Sequence, residues 1–241
     1  NINDQDFLEK DEVKSCDLFV SMSFNQIFRK CTFQFPRLGT INCHAGNLPF
    51  YRGRNILNWA LINDESEFGI TVHYVDEGID TGDIIKQATF QITDDDDYAT
   101  LLEKAYLGCA DLLSKTVDDF LVGEISRIPQ SNISNHGLYC CGRKEGDEII
   151  NWNSSSREIF NFVRSITTPG PLARSFISDE EVKIIKTELI EGAPSYIGIP
   201  GSILAKEGTS FLIKTNDSYI RLLDWKSSIK LKVGGRLCSK H

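Results

Sequence analysis

From residue 1 to about 95, short apolar runs of strand length alternate with helical stretches, and that alternation admits few folds. Residues 17–22 (DLFVSM), 39–43 (GTINC), 69–76 (GITVHYVD) and 84–92 (IIKQATFQI) read as strands. The polar stretch 4–14 reads as a helix, and 55–62, with apolar residues at 56, 57, 59, 60 and 61, as a helix packed on a sheet. Strands separated by helices argue for an α/β domain with a mostly parallel sheet. The run Asp94-Asp95-Asp96-Asp97 offers carboxylates to free N–H groups at the positive end of a helix dipole. It therefore opens a long amphipathic helix that carries Leu101, Leu102, Ala105, Leu112, Leu113, Val117, Phe120 and Leu121 and ends near Gly123, a better account than a metal site.

After Pro129 the character changes. A polar segment, SNISNHG, precedes a short serine-capped helix over 154–165. Strand-like runs then follow at 172–177, 182–189, 201–204, 210–214 and 219–223, separated by Gly, Asn and Asp turns, the pattern of a small antiparallel sheet or barrel. The boundary falls near 130–148, which predicts an α/β domain over 1–130 and a small OB-like β domain with one short helix over 131–241. A doubly wound domain normally opens with a βαβ unit, yet nothing before the strand at 17–22 supplies its neighbours. The sheet is expected to be shortened at its N-terminal side or unusually small.

Composition narrows the function classes. In 241 residues, 26 Lys plus Arg stand against 34 Asp plus Glu, and the net charge of −8 is opposite in sign to a field that collects polyanions. Nucleic acid is not an expected partner. No apolar run approaches the ~20 residues that cross a bilayer, and the first residues lack the basic and apolar stretches of a signal peptide, so a soluble, cytoplasmic protein without a membrane partner is expected. The seven cysteines include no C-x2-C pair and read as reduced thiols.

The chemistry concentrates in two stretches. In INCHAGNLPFYRGR (41–54), Asn42 and His44 lie two apart at the end of a strand, so both side chains project to one face. Arg52 and Arg54 add two fixed positive charges beside them. In VDEGIDTGDII (75–85), Gly78 and Gly82 permit an irregular loop, and a carboxylate from that loop is placed to orient the His44 imidazole, fix its tautomer and raise its basicity. A calcium loop is disfavoured because Ile84-Ile85-Lys86-Gln87 stand where the bidentate glutamate belongs.

INCHAGNLPFYRG followed by GITVHYVDEGIDTGDII resembles the formyltransferases that use 10-formyltetrahydrofolate, strongly over 15–125 and weakly over 148–225. The resemblance implies a Rossmann-like domain, with roughly fifty residues of its opening absent here. It also implies that Asn42, His44 and Asp80 are the catalytic residues, Asp80 being the one in Ile79-Asp80-Thr81-Gly82. It places the folate against Met22, Phe24, Ile27, Val75, Gly78 and Asp80, and the acceptor against Tyr51, Arg52 and Arg54, with no metal.

Within the family, RGRNILNWALINDE (52–65) resembles the enzymes that formylate nucleotide-linked amino sugars, such as dTDP-4-amino-4,6-dideoxyglucose or a 3-amino analogue, for O-antigen or surface-glycan synthesis. A guanidinium fork at Arg54 suits a diphosphate. The expected partners are a nucleotide sugar and folate, and the accessory β domain implies dimer contact or cleft closure. Three alternatives stand beside this reading: a methionyl-tRNA formyltransferase, a Cys or metal hydrolase built on Cys43, His44, His73 and Asp80, and a non-catalytic folate or nucleotide binder.

Overall fold

The computed structural model describes residues 1–239, which separate into two compact units. The first comprises Asn1–Ile56, Glu67–Gln91 and Glu103–Gly142. Its elements begin with single helical turns α1 (Gln5–Leu8) and α2 (Asp11–Lys14), then β1 (Phe19–Met22), α3 (Lys30–Phe33), β2 (Thr40–His44) and the short β3 (Arg52–Gly53). In chain order there follow α4 (Ile56–Ile62), which from Leu57 on counts with the second unit, then β4 (Glu67–Tyr74), β5 (Ile84–Gln91), the long α5 (Tyr98–Val122), which counts with the first unit from Glu103 on, and the short β6 (Tyr139–Cys140). The helix expected over 4–14 is broken into α1 and α2, neither of which buries a residue, so no packed face sustains a longer helix there.

The main sheet has the order β1-β2-β4-β5. β1 runs parallel to β2, with Phe19 opposite Thr40 and Met22 opposite Cys43. From β2 onward the pairing is antiparallel, with Asn42 opposite His73, His44 opposite Thr71, and Glu67 opposite Gln91. The α/β class holds, and within the main sheet the described strands confine the parallel pairing to β1–β2. β4 and β5 are joined by the loop 75–83 alone, shorter than the crossover of roughly a dozen residues that a parallel pair requires. Ile41, Cys43, Ile70 and Val72 point into the core, and the stacked rings of Phe68 and Phe90, 5.3 Å apart, extend it along β4 and β5. A separate ribbon pairs β3 with β6 in parallel.

α5 starts where the acidic run predicts. Asp97 Oδ1 accepts the Thr100 N–H and Thr100 Oγ1 accepts the Asp97 N–H, each at 3.0 Å, a reciprocal cap. Asp96 is buried, and it accepts from the Thr93 N–H and from Thr100 Oγ1.

The second unit comprises Leu57–Ser66, Ile92–Leu102 and the chain from Arg143 onward. It contains α6 (Ser156–Ser165) and an antiparallel sheet of β7 (Ala173–Ile177), β8 (Glu180–Glu188), β9 (Ile203–Glu207), β10 (Ser210–Lys214) and β11 (Tyr219–Ser227) in the order β7-β8-β11-β10-β9. Ser155 and Glu158 form a capping box at the start of α6. Ile159, Phe160 and Val163 of that helix share one core with Val182, Ile184, Ile213 and Leu222 of the sheet. The Trp152 indole reaches into it and donates to Ser175 Oγ at 2.9 Å. Among the described residues no helix is long and apolar enough to cross a membrane.

Candidate active site

The period-two rule holds on β2. Ile41 and Cys43 are buried on one face, while Asn42 and His44 stand on the other, both partly accessible. Asp80 arrives from the β4–β5 loop, so three residues from two distant stretches converge. His44 Nδ1 lies 3.7 Å from Asp80 Oδ2, and Asn42 Nδ2 lies 3.3 Å from the His73 Nε2 whose own distance to Asp80 Oδ1 is 3.6 Å.

The hydrogen bonds assign the protons. His44 Nε2 is 2.6 Å from the Tyr51 carbonyl oxygen, which only accepts, so Nε2 carries a hydrogen. Burial drives the His44 pKa below its ordinary value; the Asp80 charge and the Tyr51 carbonyl offset this only in part, and His73 adds to the lowering. The ring is therefore neutral at neutral pH and presents the lone pair of Nδ1 toward Asp80. The tautomer is held by Tyr51, not by a carboxylate. Gly46 makes that bond feasible, since a Cβ there would lie 2.3 Å from the Tyr51 oxygen and 2.4 Å from His44 Nε2. His73 repeats the pattern: its Nδ1 donates to the Tyr74 carbonyl at 2.8 Å, leaving Nε2 to accept from Asn42 Nδ2.

Burial pushes the Asp80 carboxyl up, but contact with the His73 ring, the proximity of His44 and a hydrogen bond from the Gly53 N–H outweigh it and hold the group below the usual carboxylate range. The Gly53 bond to Oδ2 measures 2.9 Å. Asp80 adopts φ 54, a left-handed conformation that costs a non-glycine residue about 1–3 kcal/mol and persists only where surrounding contacts enforce it. Those contacts come from Gln130. Its buried amide donates from Nε2 to the carbonyls of Asp80 and Gly82 at 2.8 and 2.9 Å.

The remaining predicted residues fall in three groups. Met22, Phe24 and Ile27 are exposed near the carboxyl end of β1, and the Lys30–Glu77 ion pair at 2.9 Å brings their segment beside the loop that carries Gly78 and Asp80. Val75 sits at the root of that loop, where its N–H donates to the Thr40 carbonyl. Tyr51 contributes its carbonyl to His44. Arg52 is committed to Gln130 Oε1, at 3.1 Å from Nε and 2.5 Å from Nη2, and stands 5.4 Å from the centre of the Tyr139 ring. Arg54 is exposed on the same ribbon. Cys43 turns away from His44 to the Cys109 carbonyl, and its contact with Cys109 and its burial push the thiol far up, so it supplies no thiolate to His44. Gln130 is absent from the sequence-predicted set, because a glutamine after Pro129 belongs to no local pattern; His73 stands there only within the hydrolase alternative.

Two sequence profiles match, "Formyl transferase" over residues 1–109 and "Formyl transferase, C-terminal domain" over residues 143–236. A methionyl-tRNA formyltransferase of Thermodesulfovibrio yellowstonii is 38% identical over 222 residues, 92% of this chain and 69% of that protein. This chain belongs to the formyltransferase family. A methionyl-tRNA formyltransferase of Staphylococcus aureus is 34% identical over 84% of the chain, which spans 63% of that relative's length. Among solved structures, the N-formyltransferase of Helicobacter canadensis in complex with folinic acid and dTDP-3-aminofucose is 26% identical, with a TM-score of 0.67 over 86% of this chain and 73% of that one. This member of the family thus shares sequence with enzymes named for a tRNA substrate and shape with one crystallised with a sugar nucleotide.

Proposed function

We propose that this formyltransferase moves a formyl group from 10-formyltetrahydrofolate to the primary amine of a nucleotide-linked amino sugar. The observation that carries the reaction is the convergence of an amide, a neutral imidazole and a carboxylate at Asn42, His44 and Asp80. The folate supplies an activated formyl carbon. The exposed apolar side chains of Met22, Phe24 and Ile27, beside the 76–81 loop, fit the apolar slot its ring system needs and would hold it there.

The chain's own residues do the rest. An amine attacks only as the free base, and as it attacks its proton needs an acceptor. Nδ1 of His44 is that acceptor, reached directly or through one water. Asp80 Oδ2 at 3.7 Å then stabilises the imidazolium. Nδ2 of Asn42, steadied by His73, donates its second hydrogen to the carbonyl oxygen as negative charge develops there. As the carbon–nitrogen bond to the folate breaks, the imidazolium returns its proton to the departing nitrogen.

Three observations support the sugar acceptor: the net charge of −8, the exposed Arg54 beside the Asp80-bound Gly53, and the likeness to the H. canadensis enzyme. Methionyl-tRNA is the second reading, favoured by the 38% identity to the T. yellowstonii protein. Incubating the chain with 10-formyltetrahydrofolate and a panel of dTDP-, UDP- and GDP-amino sugars beside methionyl-tRNA, and weighing the products, decides between them. A nucleotide sugar heavier by one formyl group is the expected product. Formylation of methionyl-tRNA alone replaces the acceptor, and formylation of no amine refutes the reaction.

A further inference from the structure

We propose that Gln130 is a positioning residue that holds Asp80 in register with His44. The inference rests on the reaction proposed above and adds to it a residue that touches no reacting atom. Gln130 lies 50 residues beyond Asp80, in the segment after α5, with only 5% of its surface accessible. Its amide uses every hydrogen-bonding position it has. Both hydrogens of Nε2 go to the Asp80 and Gly82 carbonyls, and both lone pairs of Oε1 receive Arg52, through Nε and Nη2.

The result is a closed ring of contacts. Arg52 and Gly53 are consecutive in β3; Arg52 grips Gln130, Gln130 grips the Asp80 backbone, and the Gly53 N–H grips the Asp80 carboxylate at 2.9 Å. A left-handed aspartate has no intrinsic reason to stay where it is. With its carbonyl fixed on one side and its carboxylate on the other, both the backbone and the side chain are determined. No other side chain of this length offers two donors and two acceptors in one plane, so the position specifies glutamine.

Gln130→Glu separates this role from mere packing. The carboxylate keeps the shape and still accepts from Arg52, but its second oxygen faces two carbonyl oxygens at the 2.8 and 2.9 Å where Nε2 stood, so the loop is pushed away. Displacement of a reacting geometry by about 1 Å costs on the order of 10²-fold. We expect kcat to fall about 10- to 100-fold and the acid limb of kcat/KM to move to lower pH as His44 loses its anion. Gln130→Ala, which leaves room for water, is expected to fall between the wild type and Gln130→Glu. Thermal melts establish that both variants are folded.

The substrate-free arm follows the His44 ring by NMR through a pH titration, which in Gln130→Glu shifts to lower pH, as it does in Asp80→Asn. Folded Gln130 variants with wild-type kcat and an unshifted His44 titration overturn the inference, most plainly beside an inactive Asp80→Asn. If the wild type itself formylates no amine, the reaction is what fails, and the titration alone still decides whether Gln130 places Asp80.

Discussion

Replacing Asp80 by asparagine isolates the charge from the shape. The Gly53 N–H, 2.9 Å from Oδ2, requires an acceptor there, so the new amide oxygen takes that position and its NH2 turns toward His73 Nε2, the 3.6 Å neighbour of Oδ1. The loop keeps its Gln130 bonds, which use backbone carbonyls. What disappears is one negative charge 3.7 Å from His44 Nδ1, between side chains that are 10% and 13% accessible. At an effective dielectric constant of about 20, that attraction is worth about 4 kcal/mol to the imidazolium and nothing to the neutral ring. At about 1.4 kcal/mol per decade, kcat should fall roughly 10³-fold. The pH dependence carries a sign as well. The base works only when unprotonated, so activity is lost as pH falls through the His44 pKa, which burial already sets below the ordinary value of about 6.5. Removing the anion lowers it further, and the acid limb must move to lower pH. The assay is single-turnover formation of formylated amine across roughly pH 4.5 to 8.5, an interval of about two units below and above the ordinary histidine value. Turnover within about fivefold of the wild type, less than one decade in rate, or an acid limb that moves up, would refute the assignment of Asp80 as the stabilising anion.

Asn42→Ala removes the amide proposed as donor to the developing oxyanion and should lower kcat by about 10²–10³ while leaving the fold intact, as measured by product formation and circular dichroism. Gly82→Ala places a Cβ 1.8 Å from the Tyr74 carbonyl oxygen, a backbone atom that cannot swing aside, so the loop must move; a stability loss of about 1–3 kcal/mol in urea titration and a loss of turnover should appear together. Ser155→Ala removes one arm of the capping box of α6, far in sequence from the reacting groups, and should cost about 1 kcal/mol in urea with kcat unchanged.

Much of the site was legible before any coordinates. The two-residue repeat on β2 put Asn42 and His44 on one face and Cys43 on the other, because side-chain direction in a strand is a property of the local backbone. The caps of α5 and α6 were readable for the same reason: the donor, its acceptor and the helix start lie within one turn. The match of Asp80 to this constellation came from motif resemblance, and the structure brings its carboxylate beside both histidines.

Local pattern could not reveal the contacts whose partners are distant in sequence or belong to the backbone. A carbonyl has no residue identity, so the hold of Tyr51 on His44, and of Tyr74 on His73, left no trace in the composition of either stretch. Gln130 acquires its task only when the segment after α5 returns to the β4–β5 loop, and Arg52, which the sequence offers as a ligand for phosphate, is drawn into the framework by the same return. The sequence by itself determined which chemical groups face one side of a strand and where its helices begin. Tertiary structure alone decided which ring nitrogen is free to take a proton and what keeps the left-handed Asp80 in place: the first depends on a directional bond to a backbone carbonyl that carries no residue identity, the second on bonds closed across gaps of 50 and 78 residues, where chain periodicity has no information.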